Sequence, residues 1–194
     1  MQRVLQEPAE AAPWLILCGR SRNAISGGMA KHRLLFACLG NICRSPMAEG
    51  VFRRVAQEEG VLDRFEIDSA GLGDWHVGQA PDTRAQTAAR TRGIDISDQC
   101  ARQVTREDFA RFDLLLAMDG SNYEELVELA PKSARHKIRR FLDYAPQVGT
   151  KDVPDPFFGG SEGFDHALDL IEAAARGLLV ELLDEKTRHL KKGA

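Results

Sequence analysis

Long hydrophobic runs, clustered metal-binding residues and a strong net charge are all missing from this 194-residue sequence. Its longest apolar segments, such as residues 114–118, are far shorter than the roughly 20 residues that cross a bilayer. Its cysteines and histidines show no clustered spacing of the kind that holds zinc. A net charge of −3 and a pI near 6.0 do not support binding to nucleic acid or to an anionic membrane. We therefore expect no nucleic-acid partner, no metal and no membrane insertion.

A secretory signal is also missing, because the amino terminus lacks a basic start followed by a long apolar stretch. The expected location is therefore cytoplasmic. Residues 1–30 show no sustained hydrophobic period, so we expect a loosely ordered N-terminal extension. Translation from Met29 is an open alternative, in which residues 1–28 are not made. The length suits a single domain, which we place at residues 31–188, with a basic tail at residues 189–194.

Short apolar runs alternate with helical patterns along the domain. The runs predict strands at residues 33–37, 65–68, 113–118 and 137–141. The periodic segments predict helices at residues 46–59, 81–92, 105–109, 121–130 and 164–186. This alternation predicts an α/β fold, a doubly wound four-stranded parallel sheet with helices on both faces. Ligands of such sheets bind beyond the carboxyl ends of the strands, where Cys38 follows the first strand.

The segment from Cys38 to Pro46 joins the first strand to the first helix in one tight turn. A helix start offers unpaired N–H groups and the positive end of a dipole, which attract anions. Gly and Asn tolerate the left-handed backbone of such a loop, whose N–H groups then converge on one anion. Ser45 is predicted as the helix N-cap, with Pro46 in the first turn. The predicted anion-binding residues are Leu39, Gly40, Asn41, Ile42 and Cys43.

The residue types in this loop suit phosphoryl chemistry. Cys38 in such a positive field is expected as a thiolate that can attack phosphorus. Arg44 supplies a planar fork that matches two phosphate oxygens, and Ser45 can donate a hydrogen bond to the sulfur when it leaves. A bare Cys-x5-Arg spacing is more often structural, with a buried cysteine and a solvated arginine. The preceding strand, the Gly-Asn turn and the Ser-Pro helix start favour the catalytic interpretation. A nucleotide is not expected, since the loop lacks a Gly-Lys-Ser/Thr ending.

Cleavage of a phosphoester also needs a proton for the departing oxygen. The best candidate is Asp155, which lies between two prolines that hold an extended loop. An aspartate in that setting is usually a turn residue. The presence of the Cys38 loop in the same chain favours the interpretation of Asp155 as a general acid.

Five segments together carry a resemblance to a known family. They are residues 35–46 (Leu-Phe-Ala-Cys-Leu-Gly-Asn-Ile-Cys-Arg-Ser-Pro), 68–71 (Asp-Ser-Ala-Gly), 74–78 (Asp-Trp-His-Val-Gly), 101–103 (Ala-Arg-Gln) and 155–158 (Asp-Pro and two aromatics). Over residues 32–185 the chain resembles the low-molecular-weight protein tyrosine phosphatases, as a bacterial-type member.

The resemblance implies a cofactor-independent hydrolase of phosphotyrosine and aryl phosphates. It implies Cys38 as nucleophile, Arg44 as phosphate clamp, Ser45 as thiolate stabiliser and Asp155 as acid and then base. It further implies that Asn41 shapes the loop. Two aromatic side chains would form walls of the substrate slot, namely Trp75 and Phe157. The implied partners are tyrosine-phosphorylated proteins, for example a tyrosine kinase or a polysaccharide-export enzyme.

The sequence departs from the family pattern in two features. Phe157 and Phe158 stand where many members carry a Tyr-Tyr pair, which excludes phosphorylation of those tyrosines. Gln99 stands where many members have a histidine that contacts the loop asparagine; its amide can still form hydrogen bonds, so we expect no loss of activity.

Three alternatives stay open at single residues, and three other functions stay open for the whole chain. Cys43 is either a redox partner of Cys38 or a packed small residue. His76 either contacts substrate or lies on the surface, and Asp119 either supports the loops or caps a helix. Arsenate reduction is disfavoured because residues 119–126 contain no cysteine, and phosphoarginine hydrolysis because Ile42 replaces an expected threonine. A catalytically silent phosphate-binding regulator is disfavoured because the catalytic residues are all present.

Overall fold

The computed structural model describes residues 31–192, with side chains to residue 184. The predictions for residues 1–30 lie outside the described residues. No helix in the described part of the chain has the length and apolar character needed to cross a bilayer.

A parallel sheet of four strands forms the centre of the domain, in the order β2-β1-β3-β4. The strands are β1 (His32–Cys38), β2 (Phe65–Gly71), β3 (Leu114–Ala117) and β4 (Ile138–Arg140). The apolar runs of β1 and β3 form strands that are buried over most of their length by the layers on either side, whereas β4 buries only Ile138. The predicted doubly wound parallel sheet is therefore confirmed.

Helices cover both faces of the sheet, as the alternation predicted. They are α1 (Arg44–Glu58), α2 (Thr83–Thr91), α3 (Arg106–Arg111), α4 (Gly120–Leu129) and α5 (Ser161–Lys192). Leu34 and Phe36 of β1 point into a core shared with α1, α2 and α5. Leu35 and Ala37 point to the opposite side, where they pack with residues of α3 and α4. Because successive side chains of a strand point to opposite faces, β1 contributes to two separate hydrophobic cores.

The boundaries differ from the predictions where short-range preferences compete with tertiary contacts. Helix α1 begins at Arg44, so Ser45 lies inside its first turn and is not the N-cap. The N-cap position belongs to Cys43, whose side chain makes no capping hydrogen bond. Strand β4 has three residues and lies between short 3-10 helices that no periodic signal predicts, at Lys132–Lys137 and Phe141–Tyr144.

The carboxyl ends of three neighbouring strands meet where the candidate site lies. Strand β1 ends at Cys38, paired with Gly71 at the end of β2. A Cβ on Gly71 would lie 3.0 Å from the Gly40 carbonyl carbon, tighter than ordinary contact, so a side chain here would push β2 away from the loop. Beyond β3, Met118 accepts a hydrogen bond from the Val153 amide (2.8 Å), which brings the Asp155 segment to the same edge.

Candidate active site

Cys38 lies at the end of β1, with 3% of its surface exposed. Its sulfur accepts a hydrogen bond from the Asn41 amide (3.3 Å) and lies 3.1 Å from the Ser45 hydroxyl. The same hydroxyl lies 3.4 Å from the Ala70 carbonyl, so it can donate its proton either to the Cys38 sulfur or to that carbonyl. Ser45 is therefore not the helix cap, but it does lie beside the cysteine sulfur, the contact that the sequence also predicted.

Asn41 holds the turn of the loop. Its φ of 55° is left-handed, as the sequence predicted, whereas Gly40 does not adopt a positive φ. The Asn41 side-chain amide donates to the hydroxyls of Ser45 (2.9 Å) and Ser69 (3.0 Å). Its oxygen accepts from the Arg102 backbone amide (3.0 Å). Every polar atom of this buried side chain is therefore used to fix the loop.

The side-chain amide of Gln99 does form a hydrogen bond, but to α1 and not to Asn41. Its side-chain nitrogen donates to the Pro46 carbonyl (3.2 Å) in α1, and its buried side-chain oxygen has no hydrogen-bond partner. The amide reaches the helix behind the loop and not Asn41, whose oxygen is already occupied by the Arg102 amide.

A buried chain of hydrogen bonds supports the loop from behind, and sequence reasoning missed it. Ser69 of β2 donates to the Glu49 carboxylate (2.7 Å) while it accepts from Asn41. Glu49 of α1 also accepts from the Arg53 guanidinium (3.1 and 3.0 Å), which balances its buried charge. The Ser69 hydroxyl is thereby oriented so that its lone pair faces Asn41.

Arg44 opens α1 beneath the loop and is buried. One terminal nitrogen donates to the carboxylate of Asp119 (2.5 Å) and to the Val153 carbonyl (3.1 Å). The other donates to Asp155 (2.8 Å). Burial works against the charged guanidinium, but the nearby charges of Cys38, Asp119 and Asp155 outweigh it and raise the pKa of Arg44.

Asp119 serves both functions that the sequence left open. One carboxylate oxygen accepts from the Asn122 amide (2.7 Å) and so caps α4, while the other binds Arg44. The sequence indicated these roles only through the position of Asp119 directly after a strand and before a helix.

Asp155 lies at the rim, where 38% of its side chain is exposed. One oxygen binds Arg44, and the other accepts from the Phe157 backbone amide (3.1 Å). The carboxylate is therefore oriented by its own loop and by Arg44, the last residue of the loop at residues 38–44, which we call the phosphate loop. It remains open to solvent on one side.

A pocket of about 150 Å³ opens over the loop. It is lined by Cys38, Leu39, Gly40, Ile42, Cys43, Arg44, Trp75, His76, Asp155, Phe157 and Phe158. Trp75 (66% exposed) and Phe158 (94% exposed) stand at its mouth, and the Phe157 and Phe158 rings meet edge to face at 5.1 Å. The structure thus brings together the predicted residues, with Asn41 and Ser45 behind the pocket. It adds Phe158, and it places His76 on the wall, where His76 bonds Gln79 (2.9 Å).

Cys43 is buried beside the nucleophile candidate, and both carry free thiols. Burial raises the pKa of the Cys43 thiol to about 12, with further contributions from the charges of Asp82, Cys38 and Asp155. A thiol that stays protonated at neutral pH is a weak nucleophile, which favours the packing role of Cys43 over the redox role.

A cysteine and an arginine in one anion-binding loop, on a doubly wound α/β domain, define the class of cysteine-dependent phosphoric monoester hydrolases. Residues 33–189 match the family model described as "Low molecular weight phosphotyrosine protein phosphatase". The low molecular weight protein-tyrosine-phosphatase of Streptomyces coelicolor is 41% identical over 157 residues, which cover 79% of this chain and 95% of that protein.

Solved structures give the same result. The protein tyrosine phosphatase of Entamoeba histolytica superposes with a TM-score of 0.78 at 38% identity, covering 80% of this chain and 99% of that one. Vibrio vulnificus Wzb, solved in complex with benzylphosphonate, superposes with a TM-score of 0.69 at 30% identity, covering 78% and 99%. The chain belongs to the low molecular weight protein-tyrosine-phosphatase family.

Proposed function

We propose that this protein hydrolyses phosphotyrosine through a phosphocysteine on Cys38, with Arg44 binding the phosphate and Asp155 acting as general acid and then base. One observation carries the proposal. Arg44 bonds Asp155 at 2.8 Å, and both line the pocket whose floor holds the Cys38 sulfur. Nucleophile, cation and proton donor therefore face one small volume.

In the first step the Cys38 thiolate attacks phosphorus, and the bond from phosphorus to the tyrosine oxygen breaks. The phosphate oxygens bind the guanidinium of Arg44, which in the free protein is shared between Asp119 and Asp155. Phosphate bound in place of Asp155 frees that carboxylate from the guanidinium, and the carboxylate takes up a proton from solvent and gives it to the departing oxygen.

In the second step a water attacks the phosphocysteine, and Asp155, now a carboxylate, accepts the proton of that water. The bond from sulfur to phosphorus breaks, which releases inorganic phosphate and the thiolate. The Ser45 hydroxyl, 3.1 Å from the sulfur, is placed to donate a hydrogen bond to that leaving thiolate. The Asn41 amide at 3.3 Å gives a second donor.

The pocket walls favour an aromatic phosphate ester. Trp75 and Phe157 offer flat apolar faces, and Ile42 adds an apolar side chain to the lining. The relative Wzb binds benzylphosphonate, which has an aromatic ring next to its phosphorus group. An apolar Ile42 offers no hydrogen bond to the polar leaving group of a phosphoarginine.

The substrates in the cell belong to the same proposal. We infer that they are tyrosine-phosphorylated proteins, for example a tyrosine kinase or a polysaccharide-export enzyme, and that the enzyme acts in the cytoplasm. The absence of cysteine between residues 119 and 126 supports phosphate ester hydrolysis over arsenate reduction, which consumes additional thiols.

The test uses two peptides of identical sequence, one with phosphotyrosine and one with phosphoserine. The protein should release phosphate from the first and, at a rate lower by orders of magnitude, from the second. Cys38→Ser should abolish release from both while circular dichroism shows the same fold, because a serine hydroxyl stays protonated. Equal rates on both peptides would overturn the assigned substrate, and an active Cys38→Ser protein would overturn the nucleophile.

A further inference from the structure

Arg84, an exposed residue of α2 outside the pocket, contacts the loop that carries Asp155. One terminal nitrogen donates to the Phe157 carbonyl (3.0 Å). The guanidinium also lies over two aromatic rings, 5.4 Å from the centroid of Phe157 and 5.1 Å from that of Phe164. One side chain therefore holds both the backbone and the ring of a pocket residue.

The other edge of the same guanidinium is attached to the phosphate loop through Asp82. Two nitrogens of Arg84 donate to the Asp82 carboxylate (3.0 and 2.8 Å), which also caps α2 by accepting from the Arg84 amide (2.8 Å). The backbone amide of Asp82 in turn donates to the Ile42 carbonyl (2.8 Å). Arg84 thus connects the phosphate loop to the Asp155 loop across the pocket edge.

Phe157 is the point where this connection reaches Asp155. Its amide N–H orients the Asp155 carboxylate (3.1 Å), while its carbonyl accepts from Arg84. The turn is also held by a hydrogen bond from the Gly159 amide to the Pro156 carbonyl (3.0 Å) and by packing of Phe157 on the core, while Phe158 is almost fully exposed. Arg84 adds the side-chain hydrogen bond to the Phe157 carbonyl, so its loss would loosen the turn that aims the carboxylate.

We propose that Arg84 is a positioning residue that fixes the Asp155 loop over the phosphate loop, and so sets the geometry of proton donation. The inference rests on the proposed role of Asp155 as general acid. A guanidinium suits the task because its fixed fork bonds Asp82 and the Phe157 carbonyl together while its face packs on the rings. An exposed Arg–Asp pair acting alone would contribute little to stability and nothing to proton transfer.

The test measures kcat/KM for a series of aryl phosphates, from phenyl phosphate to 2,4-dinitrophenyl phosphate. Arg84→Gln should lower kcat/KM for phenyl phosphate by about 10- to 100-fold, the cost of a small misplacement. For the dinitrophenyl ester, which needs no proton, the loss should stay below about threefold. Arg90→Gln removes the same charge from an exposed position on α2 and should leave the whole series unchanged.

A double variant separates positioning from a general structural effect. Because Arg84 acts through Asp155, Arg84→Gln combined with Asp155→Asn should be no slower on phenyl phosphate than Asp155→Asn alone. Arg84→Lys, which keeps the charge but not the fork, should fall between Arg84→Gln and the wild type; it gives the same test if Arg84→Gln does not fold. Equal loss on all esters, or losses that multiply in the double variant, would overturn the inference. If Asp155→Asn itself showed no dependence on the leaving group, the proposed acid would be wrong instead.

Discussion

The phosphate loop and the aromatic rim are two parts of one pocket, and they are built in opposite ways. The loop residues Cys38, Asn41, Arg44 and Ser45 are buried, and each side chain has hydrogen-bond partners within the protein. At the rim, Trp75 and Phe158 are exposed, Phe157 is half-buried, and the Asp155 side chain is open to solvent on one side. The residues for attack on phosphorus, which all substrates require, are therefore held in the buried loop. Proton donation and substrate choice depend on residues at the surface.

The largest effect should come from the acid at the boundary of these two regions. Asp155→Asn should lower kcat/KM for phenyl phosphate by about 10²–10⁴ but have little effect on 2,4-dinitrophenyl phosphate. The same variant should keep its thermal stability, because the side chain is partly exposed. A loss of equal size on both esters would assign Asp155 to binding or structure.

Within the loop, a single change should damage both stability and activity. Asn41→Ala leaves the partners of the amide unsatisfied, which we expect to cost about 1–3 kcal/mol of unfolding free energy. Its catalytic rate should fall as well, since the loop loses its shape. Asn41→Gly is the control, because it keeps the left-handed backbone and isolates the side-chain bonds. Urea unfolding and steady-state kinetics of both variants measure the two effects; full stability in both would contradict the role of the network.

At the rim, the corresponding change should alter selectivity without altering stability. Trp75→Ala removes an exposed ring, so its melting temperature should stay within about 1–2 °C of the wild type. KM for phosphotyrosine peptides should rise by about 10-fold, the value of one aromatic contact, while KM for small alkyl phosphates stays the same. Unchanged KM for the peptides would remove Trp75 from the binding surface.

The smallest effect concerns Cys43 and alkaline pH. The folded protein raises the pKa of this thiol from 9.0 to about 12, so an unfolded chain loses the proton first as pH rises. The stabilisation from the protonated form is complete below pH 9 and is lost between pH 9 and 12. The stability advantage of the wild type over Cys43→Ala should therefore shrink by up to about 1 kcal/mol between pH 7.5 and pH 10. If urea unfolding gave the same free-energy difference between wild type and Cys43→Ala at both pH values, this prediction would be contradicted.

The same contrast explains what the sequence predicted and what it missed. Strands and helices followed from apolar periodicity, and the loop from one contiguous segment with a distinctive order of residue types. Ser69 and Glu49 were missed because a serine in a strand and a glutamate in a helix carry no local signal until the fold brings them behind Asn41. The N-cap prediction for Ser45 was wrong because serine favours N-caps, a local preference that its bonds to Cys38 and Asn41 override, whereas its contact with the sulfur was expected.

The most direct test of the proposed mechanism locates the phosphoryl group during turnover. In Asp155→Asn, 2,4-dinitrophenyl phosphate should still phosphorylate the enzyme, but water attack without its base should be slow. A rapid quench followed by mass spectrometry should then find one phosphoryl group per chain, on Cys38. A phosphoryl group on any other residue would contradict the account, as would continued phosphate release with Cys38 never modified.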